Sequence, residues 1–167
     1  MPIPVVSIIT PTFQRAKDLW RVLEVVRLQR WGEGEIEHLV IPDGPPDRAT
    51  QTVLRAFPEE ERILRRCVPL PDSQGQFGAA CKDAGLREAT GRYVVFWDDD
   101  NWFYPHALQC LLVSGKRNAS VWSTTRWLLI LPAGERVRSR GRIAFRTESG
   151  KGSFFGACPI FCVSRQT

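Results

Sequence analysis

The sequence has few of the features that mark membrane-spanning, secreted or zinc-binding proteins. No stretch approaches the roughly 18 consecutive apolar residues of a membrane-spanning helix, and the N-terminus lacks the basic segment and long apolar run of a secretory signal. Only 2 of the 167 residues are histidine, and the 5 cysteines are odd in number and scattered, which argues against a disulfide framework and a zinc site. We therefore expect a cytoplasmic protein with reduced thiols, and leave peripheral contact with a membrane open.

The composition is that of a soluble protein with a packed core, and the length fits a single domain over residues 1–167. The formal net charge of +5 suggests an anionic partner. That charge is unevenly spread, because residues 1–114 carry 13 Lys and Arg against 16 Asp and Glu, whereas residues 115–167 carry 10 against 2. The basic character therefore belongs to the C-terminal third.

Through residue 115, apolar segments rich in β-branched residues alternate with amphipathic segments. Strands are predicted at 5–10, 36–41, 63–70 and 92–97, of which the first and last are expected to be buried, and helices at 16–30, 47–57, 74–90 and from Pro105 onward. An order of βαβαβαβα is typical of a parallel sheet with right-handed crossover connections. We predict an α/β protein whose Rossmann-type mixed sheet is mostly parallel.

The pattern changes in the second part of the chain. Residues 119–131 and 136–146 flank a turn at 132–135 and predict a half-exposed β-hairpin, and 154–163 reads as a final strand. The domain is therefore expected to join a parallel first part (1–115) to a C-terminal antiparallel β part (116–167).

Three consecutive carboxylates, Asp98, Asp99 and Asp100, directly follow the strand predicted at 92–97. Ligands of open α/β sheets bind beyond the carboxyl ends of the strands. Adjacent carboxylates repel one another, and a divalent cation such as Mg²⁺ or Mn²⁺ relieves that repulsion. The cluster predicts a metal site, with a solvated acidic turn ahead of the Pro105 helix as the alternative.

Four motifs in order carry a resemblance to a known family. They are Val6-Ser-Ile-Ile-Thr-Pro-Thr-Phe-Gln-Arg15, Val40-Ile-Pro-Asp-Gly44, the segment from Ala80 to Tyr93, and Phe96-Trp-Asp-Asp-Asp-Asn101. Together they resemble the family 2 glycosyltransferases of GT-A fold. The resemblance covers about residues 5–115. It implies a metal-dependent enzyme that moves a sugar, with inversion, from a nucleoside-diphosphate donor to an unknown acceptor.

The same resemblance implies a set of site residues. Those implied to contact the nucleotide sugar are Pro11, Thr12, Phe13 and Arg15 at the base and ribose, Asp43 at the base, Lys82 at phosphate, and Asp98 or Asp99 near the ribose. The implied ligands of Mn²⁺ or Mg²⁺ are Asp100 and Asp98. The donor is expected to be a UDP sugar, with a GDP sugar as the alternative.

Two positions depart from the family pattern. Lys82-Asp83 stands where the family usually has Arg-Asn, and lysine cannot form the bidentate fork of arginine. Pro42-Asp43-Gly44-Pro45 keeps only one of the two carboxylates in the family's Asp-Asp-Gly-Ser.

An inverting transfer also needs a carboxylate base for the acceptor hydroxyl. The only acidic residues after Asp100 in the sequence are Glu135 and Glu148. Glu148 precedes a glycine-rich loop, so it is the candidate base. Trp102 is the tryptophan we expect at an acceptor site.

Two other functions fit the sequence. One is a non-catalytic nucleotide-sugar-binding module that lacks the base-bearing segment. The other is an anion- or nucleic-acid-binding domain that uses Arg136, Arg138, Arg140 and Arg142, which alternate and would share one face of a strand. The alternative for these arginines is an ordinary solvated hairpin face, and an anionic acceptor would also suit them.

Overall fold

The computed structural model describes residues 3–117, 121–122 and 129–132. The elements in chain order are β1 (Val6–Thr12), α1 (Ala16–Arg27), β2 (Ile36–Pro42), α2 (Arg48–Ala56), β3 (Ile63–Cys67), a 3₁₀ turn (Gln76–Gly78), α3 (Ala79–Glu88), β4 (Tyr93–Phe96), α4 (Ala107–Arg117), β5 (Val121–Trp122) and β6 (Leu129–Pro132). The predicted α/β fold is confirmed.

The strands form one sheet in the order β3-β2-β1-β4-β6-β5. β1 pairs in parallel with β2 and with β4, β2 pairs in parallel with β3, and β6 runs antiparallel to both β4 and β5. The chain builds outward from β1 to β3 and then returns to the other side of β1. This reversal opens a crevice between the carboxyl ends of β1 and β4, where such sheets bind ligands.

Helices cover both faces of the sheet. The side chains of Val6 and Ile8 pack with α1, α2 and α4 on one face, whereas Ile9 packs with α3 on the other. Gly85 allows α3 to lie against β1, because a Cβ at this position would stand 2.4 Å from Ile9 Cγ2. Burial on both faces explains why β1 reads as a continuous apolar run.

Several predicted boundaries differ from the structure, among them the ends of α1 and β3, which stop at Arg27 and Cys67 and not at residues 30 and 70. The helix predicted from residue 74 begins only at Ala79, because Gly75 and Gly78 adopt positive φ values of 63° and 76° that a helix does not accept. Residues 119–131, predicted as one strand, contain β5 and most of β6. β6 extends to Pro132, the first residue of the predicted turn, and fills the open side of β4. The predicted segments 136–146 and 154–163 lie outside the described residues.

No helix within the described ranges is long and apolar enough to cross a bilayer.

A buried charged network joins the strands near their amino ends. Ser7 Oγ donates to the Glu37 carboxylate, which also accepts from the Thr90 N–H at 2.8 Å and from Arg66 Nη1 at 3.0 Å. The Gly91 N–H in turn donates to Ser7 Oγ. Burial alone would raise the pKa of Glu37, but these hydrogen bonds outweigh burial and hold the pKa below its ordinary value.

We expect Glu37→Gln to lower the free energy of unfolding by about 2 kcal/mol near neutral pH, because charged hydrogen bonds are lost. A carboxylate whose pKa is lowered by folding stabilises the fold above its unfolded pKa, and this contribution is lost as the pH falls through the folded pKa. The difference between the variant and the unaltered protein should therefore shrink below about pH 4. Urea unfolding across this pH range measures it.

Glu88→Gln is the matched control, because Glu88 accepts from the same Arg66 but is exposed. It should cost less than about 1 kcal/mol. Equal losses of unfolding free energy in the two variants would contradict a specific stabilising role of the buried Glu37 carboxylate.

Candidate functional site

The polar residues singled out in the sequence gather where β1, β2 and β4 end. Asp43 directly follows β2, and its N–H donates to the Thr12 carbonyl at 2.9 Å. The acidic cluster, Asp98 to Asp100, lies just beyond β4. The parallel register of the three strands places these loops at one edge of the sheet. Glu135, Glu148 and the arginines at 136–142 lie outside the described residues.

The hydrogen bond between Thr12 and Asp99 crosses the crevice. Thr12 Oγ1 donates to Asp99 Oδ2 at 2.8 Å, although the residues are 87 positions apart. Asp99 is only 5% exposed, and burial raises its pKa, while the Thr12 bond and the Arg15 charge act in the opposite direction without cancelling the effect. The end of β1 therefore holds the second carboxylate of the cluster in place.

Arg15 lies over two carboxylates of the cluster. Its Nη1 is 3.1 Å from Asp100 Oδ2 and 3.5 Å from Asp99 Oδ1. The Asp99 charge, followed by the hydrogen bond to Asp100, raises the pKa of Arg15. Arg15 and Asp100 are both more than half exposed, so water screens this pair and the guanidinium is readily exchanged for another cation.

Lys82 supplies a second cation from the first turns of α3. It is 8% exposed, and its Nζ lies 2.7 Å from Asp98 Oδ1. The contact is an ion pair without aligned hydrogen-bond geometry, since Asp98 Oδ1 is buried with no hydrogen-bond partner among the described residues. An anion entering the crevice would meet a buried ammonium group that is paired with Asp98.

Asp43 holds a neighbouring loop. Its carboxylate accepts the N–H groups of Gln74 and Gly75 at 2.7 and 2.8 Å and a longer bond of 3.4 Å from Ser73 Oγ. Gly44 permits this approach, because a Cβ there would lie 2.9 Å from the Ser73 nitrogen. Sequence reasoning did not include this loop in the site and predicted a helix from residue 74. The glycines at 75 and 78 are the sequence signal that could have indicated a turn here.

A small cleft opens between the loops that follow β1 and β2. Phe13 and Asp43 both line this cleft, and the Phe13 side chain is 49% exposed. An exposed aromatic ring beside a carboxylate offers one surface for stacking and one group for accepting hydrogen bonds. Pro11, by contrast, is buried and packs against Gly78.

The carboxylates do not form a preorganised metal site. Within the described ranges, no three His, Cys, Asp or Glu side chains converge in the way a metal ion requires. Asp98 faces Lys82, and Asp100 faces Arg15. The exposed oxygens of Asp100 nevertheless suit a cation that binds through one or two carboxylates together with substrate phosphates, as Mg²⁺ does.

Comparisons with known proteins agree on the family. The family described as "Glycosyl transferase family 2" matches residues 7–152. An uncharacterized glycosyltransferase of Rickettsia felis is 26% identical over 134 residues, which cover 80% of this chain and 21% of the relative. The poly(ribitol-phosphate) beta-N-acetylglucosaminyltransferase TarP of Staphylococcus aureus is 29% identical over 116 residues, covering 69% of this chain and 34% of TarP. The chain thus spans a fifth to a third of the length of these relatives.

Solved structures share the fold. Staphylococcus aureus TarS 1–349 in complex with UDP superposes with a TM-score of 0.59 at 22% identity, over 69% of this chain and 33% of that one. The mannosyltransferase PcManGT of Pyrobaculum calidifontis, in complex with GDP-Man and Mn²⁺, gives a TM-score of 0.55 at 25% identity, over 67% of this chain and 31% of that one. With the strand order, the acidic cluster after β4 and the family match over most of the chain, we conclude that this protein belongs to glycosyl transferase family 2.

Proposed function

We propose that this chain binds a nucleoside-diphosphate sugar at the carboxyl edge of β1, β2 and β4 and transfers the sugar to an acceptor hydroxyl. The observation that carries the proposal is the meeting of Thr12, Arg15 and Lys82 with the three carboxylates of the acidic cluster. Structures with the same fold bind UDP, UDP-GlcNAc and GDP-Man. We favour a UDP sugar as the donor, with a GDP sugar as the alternative.

Different residues contact the base, the ribose and the diphosphate of the donor, according to their charge and shape. Phe13 offers a stacking surface to the base, and Asp43 offers a carboxylate edge to the base's N–H groups while it holds the loop at 73–75. Asp99, fixed by Thr12, accepts hydrogen bonds from the ribose hydroxyls. Arg15 and Lys82 meet the diphosphate, because both are cations that lie beside the carboxylates at the crevice.

A divalent cation, Mn²⁺ or Mg²⁺, would be held by Asp100 with help from Asp98. When bound, it would supply positive charge to the leaving diphosphate. Lys82 stabilises the same developing charge from the protein side, since its ammonium group is shielded from water. In an inverting reaction the proton of the acceptor hydroxyl passes to a carboxylate base, for which we propose Glu148.

The direct test is calorimetric titration with UDP and with GDP, each with and without Mn²⁺. We expect Mn²⁺-dependent binding of a nucleotide, and we expect Asp100→Asn to weaken it by about tenfold or more, because a charged ligand is lost. Asp83→Asn is the matched control, since Asp83 binds Arg87 on the exposed side of α3. Failure of both nucleotides to bind would overturn the proposal.

Activity is a separate question from binding. Hydrolysis of the donor or transfer from it, abolished in Glu148→Gln, would support the enzyme. Nucleotide binding without any turnover would instead identify a nucleotide-sugar-binding module, and binding of nucleic acid that falls steeply with salt would favour the arginines at 136–142.

The phosphate role of Lys82 gives a sharper prediction. Lys82→Met should weaken UDP binding by about 10- to 100-fold, the cost of a lost charged hydrogen bond, and should leave uridine binding nearly unchanged because uridine has no phosphate. Lys82→Arg should restore part of the UDP affinity. Lys17→Met, which removes an exposed lysine from α1, serves as the control. Equal losses for UDP and uridine would show that Lys82 only supports the fold.

A further inference from the structure

A second surface leads away from the acidic cluster and is unused by the donor residues. Trp102 and Tyr104 are 73% and 77% exposed, and the ring of Tyr104 is stacked on that of His106 with centroids 6.0 Å apart. We call Trp102, Tyr104 and His106 the aromatic strip. Single exposed aromatics are ordinary, but three on one loop beside a ligand site indicate a binding surface.

The loop that carries the strip is held firmly from beneath. Phe103 turns inward and packs on Trp97, with ring centroids 3.9 Å apart. Gln29 Nε2 donates to the Tyr104 carbonyl at 3.0 Å, and the Arg30 N–H donates to the Pro105 carbonyl. The neighbours of Phe103 therefore stay on the surface because the backbone between them is fixed.

The contacts with α1 show the direction of the strip. Asp100 meets Arg15 at the start of α1, Trp102 meets Arg21 near its middle, and the Tyr104 carbonyl meets Gln29 beyond its end. Asp100 and Tyr104 are four residues apart, so this segment spans at most about 14 Å of extended chain. The strip thus begins at the carboxylates and extends away from them.

The charge of the strip favours a neutral occupant. The Arg21 guanidinium lies 5.4 Å from the centre of the Trp102 ring, but it also pairs with Asp18 at 2.9 Å. Asp18 therefore offsets the charge of Arg21, so this pair beside Trp102 adds no net positive charge that would favour a phosphate or carboxylate group. An exposed indole or phenol ring suits the C–H face of a sugar ring, whose hydroxyl groups remain in water.

Building on the proposed function, we propose that the aromatic strip binds the acceptor as a neutral glycan, with a sugar ring stacked on Trp102 and the chain continuing toward Tyr104. Continuity with the donor site supports this assignment, because the acceptor hydroxyl must reach the donor at the acidic cluster. A glycan that follows the strip would present its end there.

Saturation-transfer NMR tests the proposal with the methyl β-glycosides of glucose, galactose and N-acetylglucosamine as probes. We expect transfer to the ring C–H protons of at least one glycoside, and we expect Trp102→Ala to reduce it by about fivefold or more, as for loss of a central aromatic anchor. Tyr104→Ala should reduce it less for these single-ring probes, and Trp102→Phe should retain part of it. Trp20→Ala is the control, since Trp20 is on α1 but packs against Phe57.

Absence of transfer in the unaltered protein, or equal transfer in Trp102→Ala, would overturn the proposal. Binding of polyphosphate that is lost in Arg21→Gln, without glycoside binding, would show an anionic occupant and would overturn it too. The UDP titration keeps the two proposals apart. UDP binding without Trp102-dependent transfer removes only the glycan assignment, whereas failure to bind either nucleotide removes the proposed function.

Discussion

Three consecutive carboxylates at the end of a buried strand have to be compensated, and this constraint organises the whole carboxyl edge of the sheet. The compensation comes from three different elements: the Thr12 hydroxyl at the end of β1, the Arg15 guanidinium before α1 and the Lys82 ammonium on α3. Because each partner is far away in sequence, the sheet must be assembled before the cluster is stable. The site is therefore a product of the tertiary fold.

The same compensation explains how the edge can receive a diphosphate. Two cations face three carboxylates, so the cluster keeps an excess of negative charge until a further cation arrives. A diphosphate that enters with a divalent cation brings negative and positive charge together. Arg15 and Lys82 can then turn from the carboxylates to the phosphates, because the divalent cation takes their place beside the carboxylates. The Arg15 pair is exposed and screened by water, so little free energy is lost when Arg15 leaves its carboxylates. Lys82 is buried, so its electrostatic contact with a phosphate group is strong.

The sequence predicted the parts of the fold that depend on local pattern. β1, β2 and β4 were predicted because strands buried on both faces read as apolar runs, and the helix predicted at 47–57 is α2, whose N-cap Asp47 accepts the Thr50 N–H. The predicted start of α3 was wrong because Gly75 and Gly78 adopt positive φ values, and Gly75 is held by a long-range hydrogen bond to Asp43. The resemblance suggested the site residues, but their pairing is long-range: nothing local in the sequence shows that Lys82 meets Asp98 or that Asp43 binds two backbone N–H groups.

Stability and ligand binding are placed at opposite ends of the same strands. The Ser7–Glu37 bond lies near the amino ends of β1 and β2, whereas Thr12 and Asp43 lie at their carboxyl ends. Thr12 lies five positions beyond Ser7 on β1, which corresponds to about 17 Å. Burial raises the pKa of Glu37, but the hydrogen bonds from its neighbours outweigh burial and the net shift is downward. For Asp99 the effect of burial is larger than the opposing effects of Thr12 and Arg15, so its pKa is raised. The carboxyl end of the strands, where Asp99 lies, is the end that a bound ligand would stabilise. Substitutions there should therefore change ligand affinity, whereas substitutions at Glu37 should change the free energy of unfolding.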